Sequence, residues 1–348
     1  MNATFPGRPD CGSVEIESSD TILRTSNGGT TMTSEALTVP AVALGTWAWG
    51  DSGEAGDGYF GSRLSESGLR EVVEQAQANG FTLWDTAVAY GMGRSETALA
   101  QALKGYDRSE YQLSTKFTPQ LAGAGDDPVA DMLQQSLERL GTDYVDLYWI
   151  HNPSDVARWT PSLIPLLESG KIKHVGVSNH NLRQIGLADA ILGEAGFRVE
   201  AVQNHYSLLY RNSERAGILN HCREHDVRFF AYMVLEQGAL TGRYSPANPL
   251  PEGSSRAGVY NGILAQLQAL TDRMRTLGED RGASPADVAT AWAVAKGTTP
   301  IIGVTKAGYI DGLIRARAVD LADDEITELE TLADAADVDT RGWWEQEM

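Results

Sequence analysis

Four residues of types that could together protonate a carbonyl oxygen stand at the ends of apolar segments. Asp85 and Tyr90 lie in WDTAVAYG, Lys116 lies in YQLSTKF, and His151 ends VDLYWIH. A free phenol has a pKa of about 10, too high for efficient proton transfer near neutrality. A neighbouring ammonium would lower that pKa, a carboxylate would orient the ammonium, and an imidazole N–H would polarise the carbonyl. Tyr90 is therefore the candidate acid, with the other three as its partners.

Each of these four residues also has a structural interpretation when it is taken alone. Tyr90 could pack as a loop aromatic, Lys116 could extend its ammonium into water from a strand end, and Asp85 or His151 could cap a turn. The joint pattern favours the catalytic interpretation, because these polar residues would have to converge from separate strands.

The elements that must position these residues form an alternating pattern. Helical patterns separate short apolar segments and begin or end at recognisable caps, such as Asp127-Pro128 and Gly141. Strand-like segments cover residues 41–47, 81–87, 111–117, 145–151, 174–179, 199–206, 228–234 and 299–304. Eight such units predict an α/β fold, a closed (β/α)8 TIM barrel, with an open doubly wound sheet as the alternative.

We expect the barrel to be one domain over residues 37–348, preceded by a flexible extension over residues 1–36. The extension is rich in Ser, Thr and Gly and shows little periodicity. Met32 stands just before the first periodic segment, so a start at either Met1 or Met32 is compatible with the sequence. In a TIM barrel the chemistry lies at the C-terminal ends of the strands. Polar residues occupy five such ends: Asp85, Lys116, His151, Ser178-Asn179 and Gln203-Asn204.

Composition and charge argue against several classes of function. The chain has 348 residues and a formal net charge of −19, which disfavours binding to nucleic acid or to an anionic membrane. It has no apolar run long enough to span a bilayer, and its N-terminus lacks the pattern of a secretory signal. Two cysteines cannot form a disulfide framework, so we expect a cytoplasmic protein.

Three familiar catalytic or binding signatures do not appear. The histidines show no metal-ligand spacing, and no nucleophile elbow surrounds Ser178 or Cys222. The G-x-G of LAGAGDDP follows the third strand and meets Pro128, so we interpret it as a loop. With neither a metal nor a nucleophile, the reducing equivalents are expected to come from a bound dinucleotide.

Several ordered motifs make the chain similar to the aldo-keto reductase family. They are D-T-A-x-x-Y-G with a following R-S-E, then S-T-K-F, D-L-Y-W-I-H and G-K-I-K-H-V-G-V-S-N, and the likeness spans residues 40–335. The resemblance implies an NADPH-dependent reductase of aldehydes or ketones, in which Asp85, Tyr90, Lys116 and His151 form the catalytic tetrad. NADH is the alternative cofactor.

The resemblance also implies a cofactor site. Ser178, Asn179 and Gln203 would bind the nicotinamide carboxamide, and Tyr232 would stack on its ring. A loop with Leu235, Arg243 and Arg256 would cross the pyrophosphate. The 2′-phosphate would lie on Thr305 and Lys306. The remaining implied cofactor residues are Asp85, Thr46, Trp47, Gly303 and Tyr309. The chain departs from the family at Met233-Val234, where Ser-Pro is usual, and at Tyr309, Gly312 and Leu313, where polar residues usually hold the adenine.

An aromatic pocket is expected for the substrate. The residues predicted to line it are Trp47, Trp49, Tyr59, Phe60, Phe117, Asn152 and Tyr206. Such a surface suits a moderately apolar aldehyde or ketone. The C-terminal sequence DTRGWWEQEM could place Trp343 or Trp344 over the barrel mouth, or could pack outside the barrel.

Two other functions stay open at this point. A nucleotide-sensing regulatory subunit on the same fold, like the cytoplasmic β-subunits of potassium channels, would carry Asn in place of His151 and turn over slowly. A metal-dependent barrel hydrolase lacks candidate ligands. The expected partner is a small carbonyl or alcohol, and the expected state is a monomer or a small homo-oligomer.

Overall fold

The chain consists of two units. A computed structural model describes residues 22–25, 31–34, 36–50, 57–61, 63–342 and 344–345. The units are Met1–Ala36 and Leu37–Met348. In the first, β1 (Ile22–Thr25) pairs antiparallel with β2 (Thr31–Ser34). The sequence did not predict this pairing. The flexibility of residues 1–36 stays a prediction, and most of that segment lies outside the described residues.

The second unit contains the barrel. Its eight strands are β3 (Ala43–Gly45), β4 (Leu83–Asp85), β5 (Gln112–Phe117), β6 (Val145–Ile150), β7 (Ile172–Ser178), β8 (Ala201–His205), β9 (Arg228–Tyr232) and β10 (Thr299–Gly303). All are parallel, each pairs with the next, and β10 closes the sheet on β3. The predicted TIM barrel is confirmed, and the open sheet is excluded.

Helices connect successive strands around this sheet. They are α1 (Asp57–Phe60), α2 (Glu66–Ala78), α3 (Arg94–Leu103), α4 (Pro128–Leu140), α5 (Val156–Trp159), α6 (Leu163–Glu168), α7 (Leu182–Gly193), α8 (Asn212–Arg215), α9 (Ile218–Glu224), α10 (Ser255–Tyr260), α11 (Gln268–Glu279), α12 (Pro285–Ala295), α13 (Gly308–Ala318) and α14 (Asp323–Ala335). Short 3₁₀ turns lie at Tyr90–Gly93, Arg108–Glu110, Pro119–Leu121, Thr160–Ser162 and Glu236–Thr241. Across the described ranges, no helix has both the length and the apolar character needed to cross a membrane.

Local sequence explains where these helices begin and end. The carboxylate of Asp127 accepts from the Ala130 amide at the start of α4, and Pro128 occupies the first turn, where its missing N–H costs nothing. Gly141 then ends α4 in the left-handed conformation, at φ 67°. The same capping by a side-chain oxygen begins α2 at Ser65 and α12 at Ser284.

Strand periodicity divides the buried residues into two layers. Along β6, Leu147 and Trp149 belong to a small cluster, whereas Tyr148 and Ile150 belong to a much larger one. The small cluster also draws single residues from β3, β4, β8 and β9, so it is the interior of the barrel. The large cluster packs the strands against the helices. Because the side-chain period is two, each strand assigns its residues to one layer or the other.

The barrel interior is tightly filled around Gly176 of β7. A Cβ built at this position would overlap the six-membered ring of Trp149 and would lie 3.0 Å from the carbonyl oxygen of Ala201. We expect Gly176→Ala to lower the free energy of unfolding by about 1–3 kcal/mol, the usual range for an overpacked core. Urea denaturation would measure the loss.

Gly186→Ala is the matched control for this substitution. Gly186 lies exposed in α7, and a Cβ there meets nothing within 4 Å. Its free energy of unfolding should stay unchanged or rise by up to about 1 kcal/mol, since Ala is the better helix former. Equal stability of the two variants would contradict the tight packing described for Gly176.

Candidate active site

Asp85 ends β4 with its carboxylate inside the barrel. The residue is 3% exposed. Its Oδ1 accepts from Ser114 Oγ at 2.7 Å and from Gln203 Nε2 at 3.1 Å, and its Oδ2 accepts from Lys116 Nζ at 2.7 Å. A buried carboxylate needs such donors and a cation to offset the loss of hydration. Three neighbouring side chains therefore fix this charge in place.

Lys116 provides the cation and is completely buried. Its ammonium donates to Asp85 Oδ2, to the Thr86 carbonyl oxygen at 2.8 Å and to the Tyr90 hydroxyl at 3.3 Å. These contacts match its three N–H donors. Burial alone lowers the pKa of Lys116, but Asp85 and Tyr90 outweigh it, so the pKa is raised above its ordinary value. Lys116 is therefore charged at neutral pH.

Tyr90 begins a tight turn that follows β4. Its amide donates to the Ala87 carbonyl oxygen at 3.0 Å. Gly91 and Met92 follow it in the left-handed region, at φ 60° and 55°. Glycine adopts this conformation freely, whereas Met92 is strained by it. The turn directs the Tyr90 hydroxyl back to Lys116.

The protonation of Tyr90 differs from the sequence-based expectation. Burial raises the pKa of the phenol most, Lys116 lowers it, Asp85 raises it, and the result is a pKa above the ordinary value of about 10. Lys116 alone was expected to bring the pKa down. Asp85 opposes the charge of Lys116, so Lys116 only moderates the effect of burial, and Tyr90 is a neutral phenol near neutral pH.

His151 follows β6 and faces Tyr90 from the next part of the rim. The two ring centroids lie 6.0 Å apart at an interplanar angle of 79°. Nδ1 of His151 shares a hydrogen bond of 2.8 Å with Thr118 Oγ1. Burial first, and then the charge of Lys116, lower the pKa of His151 to about 3. The imidazole is therefore neutral at neutral pH.

The ends of β7, β8 and β9 continue the site. Asn179, at φ 63°, donates through Nδ2 to the His151 carbonyl oxygen at 3.0 Å and to Ser178 Oγ at 3.2 Å. Its Oδ1 accepts from the Tyr232 hydroxyl at 2.6 Å. Gln203 reaches Asp85, as described above. The structure thus places the four residues predicted around the nicotinamide beside the predicted tetrad.

An aromatic cluster borders the Tyr90 side of the site. Trp47 stacks on Tyr59, with ring centroids 5.2 Å apart, and meets the edge of Phe60 at 5.1 Å. Its ring lies 6.1 Å from that of Tyr90 and 5.7 Å from that of Trp344, which it meets edge-on. Trp344 therefore lies at the barrel mouth, while Trp343 lies outside the described residues.

The loop after β9 carries the next group of predicted cofactor residues. Arg256 donates through Nη1 to the Gln237 carbonyl oxygen at 2.8 Å, which ties α10 to this loop. Nε of Arg256 and Oε1 of Gln237 are buried, and neither has a hydrogen-bond partner in the described part of the chain. Leu235 is half-buried and Arg243 is exposed on the same loop. Helix α10 thus carries an unused donor, and the loop carries an unused acceptor.

The end of β10 carries the last predicted cofactor residues. Gly303 closes the strand, Thr305 is half-buried, and Lys306 is exposed just before α13. Tyr309, in the first turn of α13, is 41% exposed. The side chains of Lys306 and Tyr309 lie open to solvent at the same end of the barrel as the tetrad.

Three residues predicted to line the pocket pack elsewhere. Phe117 follows Lys116, so strand alternation turns it outward, and its ring lies 5.1 Å from Trp159. Tyr206 stacks on Trp292 of α12 at 5.1 Å and donates to Glu214 at 2.8 Å.

Trp49, the third of them, is buried beside Trp84 and donates to the Val304 carbonyl oxygen at 2.7 Å. All three belong to the layer between strands and helices, so their assignment to the pocket was wrong.

Two further predicted residues have their side chains engaged within the protein. The Thr46 hydroxyl is fully buried, donates to the Asp85 carbonyl oxygen at 3.1 Å and lies 2.8 Å from Ser95 Oγ. Asn152 exchanges a pair of hydrogen bonds with Gln120, at 2.7 and 2.9 Å. Thr46 supports the floor of the site, and Asn152 is held at its edge.

Sequence reasoning missed several residues that shape this site. Thr118 orients His151, Ser114 helps to hold Asp85, and His205 bonds to Glu236 inside the mouth. Strand alternation gave a usable signal for Ser114, which stands two residues before Lys116. His205 ends β8 directly after Gln203-Asn204, and its role was not predicted from the sequence. Among the residues whose side chains are described, no cluster of His, Cys, Asp or Glu suits a metal ion.

Comparisons with known proteins identify the family of the chain. The chain is 31% identical over 314 residues to the chloroplastic pyridoxal reductase of Arabidopsis thaliana, covering 85% of this chain and 84% of the relative. It is 30% identical over 294 residues to an NADP(+) aldo-keto reductase of Schizosaccharomyces pombe, covering 79% and 85%.

Solved structures share the fold. The glycerol dehydrogenase of Gluconobacter oxydans superposes with a TM-score of 0.68 at 24% identity, covering 90% of this chain and 95% of the other. An aldo-keto reductase of Klebsiella pneumoniae in complex with NADPH gives a TM-score of 0.65 at 24% identity, covering 85% and 91%. The model of the Aldo/keto reductase family matches residues 41–334, and the chain belongs to this family.

Proposed function

We propose that the protein is an NADPH-dependent oxidoreductase that reduces an aldehyde or a ketone to the alcohol, or catalyses the reverse oxidation. The observation that carries this proposal is the contact of the buried Lys116 ammonium with the Tyr90 hydroxyl at 3.3 Å, with Asp85 behind it. A fully buried ammonium against a phenol stabilises the charge that appears when the phenol gives up its proton.

Tyr90 would supply the proton to the carbonyl oxygen. Its raised pKa keeps it protonated, which is the form that reduction requires. After the transfer, Lys116 lies at hydrogen-bond distance from the phenolate oxygen. Asp85 holds the ammonium of Lys116, and Ser114 and Gln203 hold the carboxylate of Asp85. The geometry is therefore set before the reaction begins.

His151 would donate the second hydrogen bond to the carbonyl oxygen. The neutral ring carries one proton, and its position depends on Thr118. When the Thr118 hydroxyl donates to Nδ1, the proton lies on Nε2, which is then free to donate to the substrate. Thr118 is thus proposed to select the reactive tautomer.

The chemistry of the surrounding donors suits a nicotinamide dinucleotide. Amide and hydroxyl groups of Ser178, Asn179 and Gln203 can both donate and accept, as a carboxamide requires. The unused Gln237 Oε1 is a buried acceptor on the loop assigned to the pyrophosphate, and the unused Arg256 Nε is a buried donor on α10, which is bonded to that loop. When bound, NADPH would supply a hydride to the carbonyl carbon. The family and the NADPH-bound relative support this choice of cofactor.

The substrate is proposed to be a moderately apolar carbonyl compound. Trp47, Tyr59 and Phe60 present an aromatic wall beside Tyr90 and His151. Aromatic rings bind flat apolar groups well, and the polar contacts are concentrated at the tetrad. Aromatic aldehydes are therefore the first substrates to test.

Tyr90→Phe tests the proposed acid. The variant keeps the ring and removes the proton, so kcat for aldehyde reduction should fall by about 100-fold or more. Tyr144→Phe is the control, because Tyr144 precedes the N-terminal end of β6 and His151 follows the C-terminal end. Its kcat should stay within about twofold of the wild-type value. Steady-state oxidation of NADPH measures both. Full activity in Tyr90→Phe would remove the assignment, and negligible turnover by the wild type would favour the nucleotide-sensing alternative.

The pH profile tests the protonation states. The pKa of His151 is about 3 and that of Tyr90 lies above its ordinary value of about 10, so neither group titrates between pH 5 and 9. The kcat for reduction should stay flat across this range and decline at higher pH as the phenol ionises. An inflection near pH 6.5 in a kcat–pH series would show that His151 titrates normally and would contradict the geometry.

Lys306→Ala tests the preference for NADPH. Loss of a point charge on the 2′-phosphate should raise the KM for NADPH about tenfold, or about 1.4 kcal/mol, and leave the KM for NADH nearly unchanged. Lys104→Ala, on an exposed lysine at the end of α3, is the control. An equal rise for both cofactors would exclude the phosphate contact.

A further inference from the structure

The C-terminal residues Trp344 and Glu345 reach the mouth of the barrel. The Glu345 side chain is fully buried there. Its carboxylate accepts from His205 Nδ1, with its two oxygens at 3.0 and 3.1 Å, and from the Tyr232 hydroxyl at 3.1 Å. A buried carboxylate is costly unless it is paired and hydrogen-bonded.

His205 binds two carboxylates at once. Its Nε2 lies 2.9 Å from Glu236 Oε1, on the side of the ring opposite to Glu345. Only the imidazolium form can donate from both nitrogens. Burial lowers the pKa of His205, but Glu236 and Glu345 outweigh it and raise the pKa to about 9. His205 is therefore a second buried cation of the site.

Glu236, the carboxylate on the Nε2 side of His205, has several further hydrogen-bond donors. It accepts from the Tyr260 hydroxyl at 2.7 Å, from Thr340 Oγ1 at 3.1 Å and from Ser207 Oγ. These contacts hold its charge whether or not Glu345 is present. Glu345 lies in the segment after α14 and bonds to the opposite nitrogen of the ring.

The bound terminus touches residues assigned to the reaction. Trp344 meets Trp47 edge-on, and its Nε1 lies 3.4 Å from the Tyr232 hydroxyl. The same hydroxyl bonds to Asn179 Oδ1 at 2.6 Å. Trp344 and Glu345 therefore contact both the aromatic wall and Tyr232.

We propose that Glu345 and His205 are positioning residues, whose ion pair holds the C-terminal segment across the barrel mouth so that Trp344 forms a wall of the carbonyl pocket. This assignment rests on the proposed function. It predicts that the ion pair acts on the affinity for flat, apolar carbonyl compounds, since Trp344 meets Trp47 of the aromatic wall edge-on.

The ion pair depends on pH in a defined direction. The ring of His205 lies between Tyr210, at 4.2 Å, and Tyr232, at 5.6 Å, and its nitrogens face Glu236 and Glu345. Its pKa is raised from about 6.5 to about 9, so its stabilisation is complete below pH 6.5 and is lost as the pH rises through 9. The neutral ring can donate to only one carboxylate, and Glu345 is then released.

Glu345→Gln tests this assignment, with Glu345→Asp as the variant that keeps the charge. At pH 7, Glu345→Gln should raise the KM for an aromatic aldehyde about tenfold and change kcat by less than about threefold. Glu345→Asp should recover part of the loss. In the wild type the same KM should rise between pH 8 and 10, whereas in Glu345→Gln it should already be high and flat. Glu328→Gln, which removes an exposed carboxylate of α14, should match the wild type.

Digestion with a carboxypeptidase at pH 7 tests the terminus without any turnover. Wild-type protein should retain Trp344, as measured by mass spectrometry, and Glu345→Gln should lose it. Retention of Trp344 in both proteins would overturn the ion pair as the anchor, and an unchanged KM in Glu345→Gln would overturn its role in the pocket. Absence of turnover in the wild type would instead refute the proposed function. The digestion would still test whether the ion pair anchors the C-terminal segment.

Discussion

The structure depends on one buried ammonium that must find three acceptors. Lys116 is completely enclosed by the barrel, and its N–H groups are used by Asp85, Thr86 and Tyr90. A cation without these partners would be strongly destabilised at this position. The ends of β4 and β5 and the turn after β4 are therefore held together by the same charge that we propose takes part in the reaction.

The same ammonium acts in two directions on its neighbours. It offsets part of the effect of burial on Tyr90, and it adds to the effect of burial on His151, whose pKa falls to about 3. Burial thus keeps the phenol neutral against the effect of this cation, and burial and the cation together keep the imidazole neutral, with the two ring centroids 6.0 Å apart. Across the mouth, His205 is a second buried cation, stabilised by carboxylates on both sides.

Much of this arrangement could be predicted from sequence because it follows strand alternation. Asp85 and Lys116 end apolar strands, and the closure of a parallel barrel brings such ends to one rim. The same rule, applied residue by residue, would have excluded Phe117, which must face away from Lys116. The bond from His205 to Glu345 could not be predicted, since it joins residues 140 positions apart through a terminus without periodicity. The net pKa of Tyr90 also required the structure, because it balances burial against two opposite charges.

Transfer of deuterium from the cofactor to the product is the decisive test of the proposed reduction. An aromatic aldehyde should be reduced with NADPH that carries deuterium at the transferable position of nicotinamide C4, and the alcohol should be analysed by NMR. We expect one deuterium on the carbinol carbon of the product with the wild-type protein, and only trace product with Tyr90→Phe. If NADPH binds but no deuterium-labelled alcohol forms from any aldehyde or ketone tested, the proposed reduction is contradicted.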